Sequence, residues 1–215
     1  MDIECFFNER IRFVRQLYKT SSNPYKERKR LIEAEEEPYT PPYSEDDEPA
    51  FLNEWLEADE SLHILAYFCI SMLAAALQLY FESWVKQSRR PVENSLKKTV
   101  FKKKGWLTGY KAHFTQHFSI CFESSSTDYS LLEEVILARN RIQHPSSIID
   151  LKTRFNASDL TKIETPLFLS DMDKNESWFF PPILHISEEQ LNMAISEVEN
   201  FVKWFAPEIE KRAYA

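Results

Sequence analysis

Residues Ile64 to Phe81, ILAYFCISMLAAALQLYF, run for eighteen positions without a formal charge, and no other feature narrows the fold so far. A stretch of that length either spans a bilayer or forms a helix buried on most of its circumference. At about 100° per residue, Tyr67, Ser71, Ala74, Gln78 and Glu82 share one side as a narrow seam of small or polar groups. A lipid-facing helix does not need such a seam. The stretch is therefore read as the central helix of a bundle, its seam turned to a cleft or a twin helix, with membrane insertion as the alternative. Glu82 and Lys86, four apart, continue the seam, either as a surface ion pair or with a role near the cleft.

The rest of the chain supplies partners for that helix. Phe7, Ile11, Val14 and Tyr18 make one face of an amphipathic helix over residues 4–19, where Glu4, Glu9, Arg10 and Arg12 interrupt any signal-peptide core. Ser187 and Gln190 form a capping box, and Leu191, Ala194, Ile195, Val198, Phe201, Val202 and Phe205 continue as a helix expected to end near Pro207. Two glycines in 215 residues exclude Gly-rich phosphate loops and a turn-dense β architecture. The fold class expected is all-α, a helical bundle over residues 51–215 preceded by an N-terminal helix and acidic loop over 1–50. Between Asp150 and Ser187 the helical period disappears, and a short β-hairpin or flap is expected within 160–186. Cys5, Cys69 and Cys121 form neither a paired framework nor a CxxC, which fits a reducing, cytoplasmic setting.

Charge is sorted along the chain. From Glu33 to Glu60 there are twelve acidic residues and no basic one, punctuated by Pro38, Pro41, Pro42 and Pro49. This reads as a solvated connector, with an acidic strap across the basic segment that follows, or an acidic partner-binding segment, as the alternatives. Residues 86–111 hold nine Lys or Arg against Glu93 alone, in a chain of net charge −8, with Phe101, Trp106 and Tyr110 interleaved. Lys102, Lys103 and Lys104 are its densest part, and two readings stand: a surface for RNA phosphates with aromatic platforms for bases, or a solvated link between helices. His113, His117 and Cys121 follow at four-residue spacing. A buried histidine pair is expected from them, with zinc as the alternative, because no fourth ligand and no HExxH pattern accompany them.

Charged residues interrupt a well-marked helix in one place. Ser130 with Glu133 resembles a capping box, Pro145 stops the helix, and a helix is expected from about Asp128 to Gln143 or His144. Arg139 falls within the apolar stripe of Leu131, Leu132, Val135, Ala138 and Ile142, whereas Arg141 lies on the far side beside Glu134. Asn140 and His144 share a flank with Leu137 and stand close enough for a side-chain hydrogen bond.

The string Arg139-Asn140-Arg141-Ile142-Gln143-His144 resembles the signature of the HEPN superfamily: Arg, a polar residue, three residues, then His near a helix end. The resemblance implies an α-helical bundle, a homodimer that brings two motifs together, and a metal-independent, cofactor-free endoribonuclease of the kind found in toxin–antitoxin and other defence systems. An antitoxin or other regulatory protein would then be a partner. Where family members under an adenylylating antitoxin carry Tyr, this chain has Ser146, so that form of control is not expected. Imidazole titrates near neutrality and guanidinium is always charged. His144 is accordingly the expected general acid or base, Arg139 the phosphate stabiliser, Asn140 the residue orienting His144, and Arg141 with Lys102–Lys104 the RNA contacts. Arg139 and His144 lie about 140° apart on one helix, so a second copy, docked through the flank of Leu137, Asn140 and His144, is expected to supply the missing arginine. The opposing reading is a bundle that only binds RNA or protein, with Arg139 paired to Glu82 or another core carboxylate.

Overall fold

A computed structural model of the chain describes residues 2–43, 49–145, 152–163, 165–170, 173 and 182–213. Of these, 74% are helical, and the only β pairing among them is one isolated antiparallel bridge. The all-α expectation is met.

Two long helices build the frame. α1 (Ile3–Glu33) starts where Asp2 accepts the Cys5 N–H at 2.8 Å, and Ile3, Phe7, Ile11, Val14 and Tyr18 recur every three or four residues to bury one face. It continues past the 4–19 stripe, through Pro24, because ion pairs hold its second half: Arg28–Glu57 at 3.1 Å and Lys29–Asp59 at 2.7 Å. α2 (Leu52–Gln87) spans about 54 Å at about 1.5 Å per residue and runs antiparallel to α1. Phe7 meets Tyr80 edge-on at 5.1 Å, Val14 lies opposite Cys69, and Arg28 opposite Glu57, so numbers rise on one helix as they fall on the other.

α2 is the central helix, packed against α1, α5 (Trp106–Phe118), α6 (Tyr129–Gln143) and α8 (Glu188–Ala213). The expected seam lies on its inner side. Tyr67 and Ala74 are buried, and the outward side is apolar, with Ile64, Phe68 and Leu79 among the exposed large hydrophobic residues. Small residues on the inner side let neighbouring helices approach, so the seam serves packing. Glu82 is engaged by the Gln78 amide at 3.1 Å and not by Lys86. This is also the one helix among the described residues long and apolar enough to cross a membrane, and 56% of that window is buried in the protein.

Aromatic rings fill the centre. Phe81 stacks on Tyr110 at 5.1 Å and touches Phe114, Phe201 and Phe205 at 5.9, 5.4 and 5.7 Å. The α1 residues Ile3, Phe7 and Ile11 belong to this same core. α8 opens with the expected capping box, Gln190 Oε1 accepting the Ser187 N–H at 2.7 Å and Ser187 Oγ accepting the Gln190 N–H at 3.1 Å. It passes Pro207 and ends at Ala213. Proline removes one backbone bond, but buried Ile209 and the Arg212 bond to the Glu208 carbonyl at 2.8 Å carry the helix onward.

Extended pieces cross between α6 and α8, but their pairing differs from the expected hairpin within 160–186. Ile183 pairs with Arg154, Leu184 N–H donates to the Thr153 carbonyl at 2.8 Å, and His185 N–H donates to the Phe168 carbonyl at 3.0 Å. Residues 171–172 and 174–181 of that hairpin lie outside the described residues. Residues 167–169 have no ladder, and two buried side chains replace it. Glu134 accepts the N–H groups of Leu167 and Phe168 at 2.9 and 2.7 Å, and the Gln190 amide donates to the Leu167 and Leu169 carbonyls at 2.7 and 2.9 Å. Buried backbone polar groups require such partners.

Candidate functional site

α6 is built as expected in extent and differently in detail. Its N-cap is Asp128, whose carboxylate accepts the Leu131 N–H at 3.1 Å, two residues earlier than the Ser130 box would have placed it. The Lys111 ammonium sits 3.8 Å above the Tyr129 ring. Leu132, Val135, Ile136, Leu137 and Ala138 are all buried, so α6 is enclosed over its middle turns. Glu134, expected on the far side, is fully buried, and burial pushes its carboxyl up to about 7 against the pull of the two N–H groups it accepts.

At the C-terminal end the two arginines have opposite fates. Arg141 is half-buried and bidentate to Asp159, Nε to Oδ2 at 2.5 Å and Nη2 to Oδ1 at 3.2 Å; the Asp159 side chain is only 3% exposed. Asp159 is fixed in turn by the short helix α7 (Ala157–Leu160), where Asn156 and Asp159 form a reciprocal capping box. A guanidinium committed to a buried carboxylate is not a free RNA contact, which corrects the outward placement of Arg141. Arg139 is half-buried and donates from Nη1 to Asn140 Oδ1 at 3.0 Å, and no carboxylate among the described residues pairs with it. The pairing with Glu82 required by the binding-only reading is therefore not formed.

Asn140 thus holds Arg139 and not His144. His144 is the C-cap residue of α6: its N–H donates to the Asn140 carbonyl at 3.1 Å and its side chain is exposed. The motif therefore presents a guanidinium with no counter-charge among the described residues, braced by its neighbour, and an exposed imidazole at a helix end. Leu137, the apolar residue expected to line a dimer face on this flank, lies in the core, so that flank offers no apolar contact of its own.

The basic segment is a helical arm, not an unstructured link. α3 (Asn94–Leu96), a π turn over Lys97–Phe101 and α4 (Lys102–Lys104) follow one another, and Lys102, Lys103 and Lys104 are exposed. Both glycines of the chain serve this arm. Gly105 turns the backbone at φ 88°, a value L-residues rarely adopt, and Gly109 receives the face of Phe101, which also meets Tyr110 edge-on at 5.0 Å. A Cβ on Gly109 would lie 2.3 Å from the Phe101 ring.

The His113 and His117 rings lie 4.8 Å apart, tilted by 53°, but α5 ends at Phe118 and Ser119 takes a left-handed conformation, which carries Cys121 off the helix toward Glu123. The expected trio does not converge, and no cluster of three or more metal-ligating side chains occurs among the described residues. Burial, reinforced by His117, pushes His113 down to about 4. A second histidine pair was not anticipated. His63 and His185 meet edge-on at 5.0 Å, with Asp59 3.5 Å from His63 Nε2. It lies at the motif end of the bundle: Tyr67 donates to the Leu184 carbonyl at 2.5 Å, Leu184 N–H to the Thr153 carbonyl, and Thr153 Oγ1 to the Arg141 carbonyl at 3.4 Å. No periodicity joins residues so far apart in sequence. The Asn156-x-x-Asp159 spacing, in contrast, is a legible capping signal that would have found the Arg141 partner.

No protein-family model, no curated protein and no solved structure matches this chain.

Proposed function

We propose that the protein is a metal-independent endoribonuclease of HEPN type, with Arg139, Asn140 and His144 as its working residues. One observation carries the reading. Of the two arginines in the motif, Arg141 is neutralised by a buried carboxylate, while among the described residues Arg139 has only the Asn140 amide oxygen against it. A half-buried cation without a counter-ion is costly unless an anion arrives, and a phosphodiester is such an anion. His144 takes the proton from the ribose 2′-hydroxyl or gives one to the leaving 5′-oxygen, and Arg139 stabilises the charge that builds on the phosphorus oxygens. The exposed lysines at 102–104 track the RNA backbone. A role as a toxin or defence nuclease in the cytoplasm belongs to the same reading, through the motif's likeness to that superfamily.

Purified protein is expected to cleave RNA in EDTA, leaving 2′,3′-cyclic phosphate and 5′-hydroxyl ends, and to leave DNA of the same sequence intact. His144→Ala abolishes cleavage. Arg139→Lys rescues poorly, because a point charge does not reproduce the fork. Asn140→Ala lowers the rate about ten- to a hundred-fold by releasing Arg139, an expectation for supporting hydrogen bonds in general. Replacing Lys102, Lys103 and Lys104 together by Ala weakens RNA binding and flattens its salt dependence with no loss of fold. Cleavage by His144→Ala at the wild-type rate, or its complete loss in EDTA, would overturn the assignment in favour of a bundle that binds without cutting.

A further inference from the structure

The outer face of the α1–α2 hairpin is apolar where a solvated helix pair should be polar. Phe6, Phe13, Ile64, Phe68 and Leu79 are 56%, 57%, 53%, 55% and 44% exposed. On α2, Ile64, Phe68, Ala75 and Leu79 fall within about 60° of one another at about 100° per residue. The antiparallel register sets Phe6 level with Leu79 and Tyr80, and Phe13 level with the middle of that stripe. Phe6, Phe13 and Leu79 in fact line one groove of about 570 Å³ whose floor is Phe7, Ala76 and Tyr80. Core packing explains none of the five, since α1 and α2 already bury their other faces against each other and against α6 and α8.

We infer that this face is the homodimer interface, occupied by the same face of a second copy. Size supports that occupant. At about 200 Å² per fully exposed large side chain, five residues about half exposed present on the order of 500 Å² of contiguous apolar surface, above the few hundred Å² usual for a monomer. With the ring of surrounding contacts this approaches the roughly 800 Å² per partner of a stable interface. Charge supports it as well: the groove rim carries Glu9 and Arg10, one of each sign, which two-fold pairing can satisfy reciprocally. An anionic lipid surface would demand a basic rim, and the chain's net charge of −8 opposes it. The inference replaces the Leu137 flank as the docking face and rests on none of the chemistry proposed for the motif.

Sedimentation velocity of the full chain tests it. The wild type is expected to be a dimer at ~10 μM, and Phe68→Glu and Phe13→Glu are each expected to weaken association at least about ten-fold, or ~1.4 kcal/mol. Both side chains are more than half exposed, so circular dichroism should stay near wild type, while the melting temperature should lose its dependence on protein concentration. Met193→Glu, on exposed α8 surface outside the face, should leave the dimer intact. A wild type that is monomeric at ~100 μM, whether or not it binds neutral lipid vesicles, overturns the inference. So do folded Phe68→Glu and Phe13→Glu proteins that remain dimeric.

Discussion

Glu134→Gln isolates the carboxylate that holds the crossing segment to α6, and its effect should change with pH. Glu134 is fully buried and accepts two backbone N–H groups, at 2.9 and 2.7 Å. Gln keeps the shape but turns an NH₂ toward one of those donors, leaving it unpaired at a cost of about 1–3 kcal/mol. That cost is independent of pH. The wild-type carboxyl adds a second effect, because burial raises it from the ordinary value of 4.5 to about 7. A carboxyl raised in the fold contributes fully below its unfolded value and loses that contribution as pH climbs through the folded one. The full shift corresponds to about 3 kcal/mol, of which roughly 2–3 kcal/mol falls between pH 5 and pH 8. Urea unfolding of both proteins at pH 5, 6, 7 and 8 reads the difference, since every other titration is common to the pair. The variant should be less stable by about 1–3 kcal/mol at pH 5 and close to wild type at pH 8. A difference that stays constant across that window would mean Glu134 titrates in the fold as it does in the unfolded chain, and the burial argument would be refuted.

Two further substitutions probe the supports of the site. Gly109→Ala puts a Cβ 2.3 Å from the Phe101 ring, so the ring must leave; the expected cost is about 1–3 kcal/mol, with faster amide exchange over residues 94–104 and weaker RNA binding. Asp159→Ala strips Arg141 of its partner and should destabilise by about 3 kcal/mol, the low end for a broken buried pair because the Arg141 side chain is 33% exposed. The double variant Asp159→Ala with Arg141→Met should recover part of that loss in chemical denaturation, whereas no recovery would place the effect in α7 and not in the ion pair.

The helices were legible because their signals are local. The stripe Phe7–Ile11–Val14–Tyr18 and the Ser187–Gln190 box predict burial and a helix start that the structure contains. What the periodicity left open was which side of α2 stays exposed. Tyr67, Ser71 and Ala74 make a seam in one dimension, but small residues mark close helix packing as readily as a cleft, and only the elements packed around α2 decide between them. Arg141 and Glu134 failed for a related reason. Each is charged on a helix whose periodicity assigns it to solvent, yet each is bound by a segment between α6 and α8, which contact order hides from any window of sequence. The position of Arg139 is the converse case: its place in the apolar stripe made it anomalous in sequence, and it remains without a carboxylate among the described residues.

Charge sorting along the chain ties these results to the proposed activity. The acidic stretch from Glu33 to Glu60 does not reach the basic arm in its described part; it is answered by α1, with Arg30 bound to Glu36 at 2.9 Å, Arg28 to Glu57, Lys29 to Asp59, and Trp55 to Glu33 at 2.8 Å. Lys29 also sits 4.0 Å above the Trp55 ring. Each exposed pair is worth at most about 1 kcal/mol, so their combined effect is less on stability than on where free charge remains. Arg28, Lys29 and Arg30 of α1 are consumed by that pairing, as Arg141 is by Asp159. Lys102, Lys103 and Lys104 pair with no acid among the described residues, and neither does Arg139. In a protein of net charge −8, loose attraction to nucleic acid is opposed over most of the surface and falls off within about 10 Å at ordinary ionic strength. If the protein acts on RNA as proposed, the substrate should be drawn first to the arm and the motif, a pattern that would favour cleavage at a defined place over indiscriminate binding.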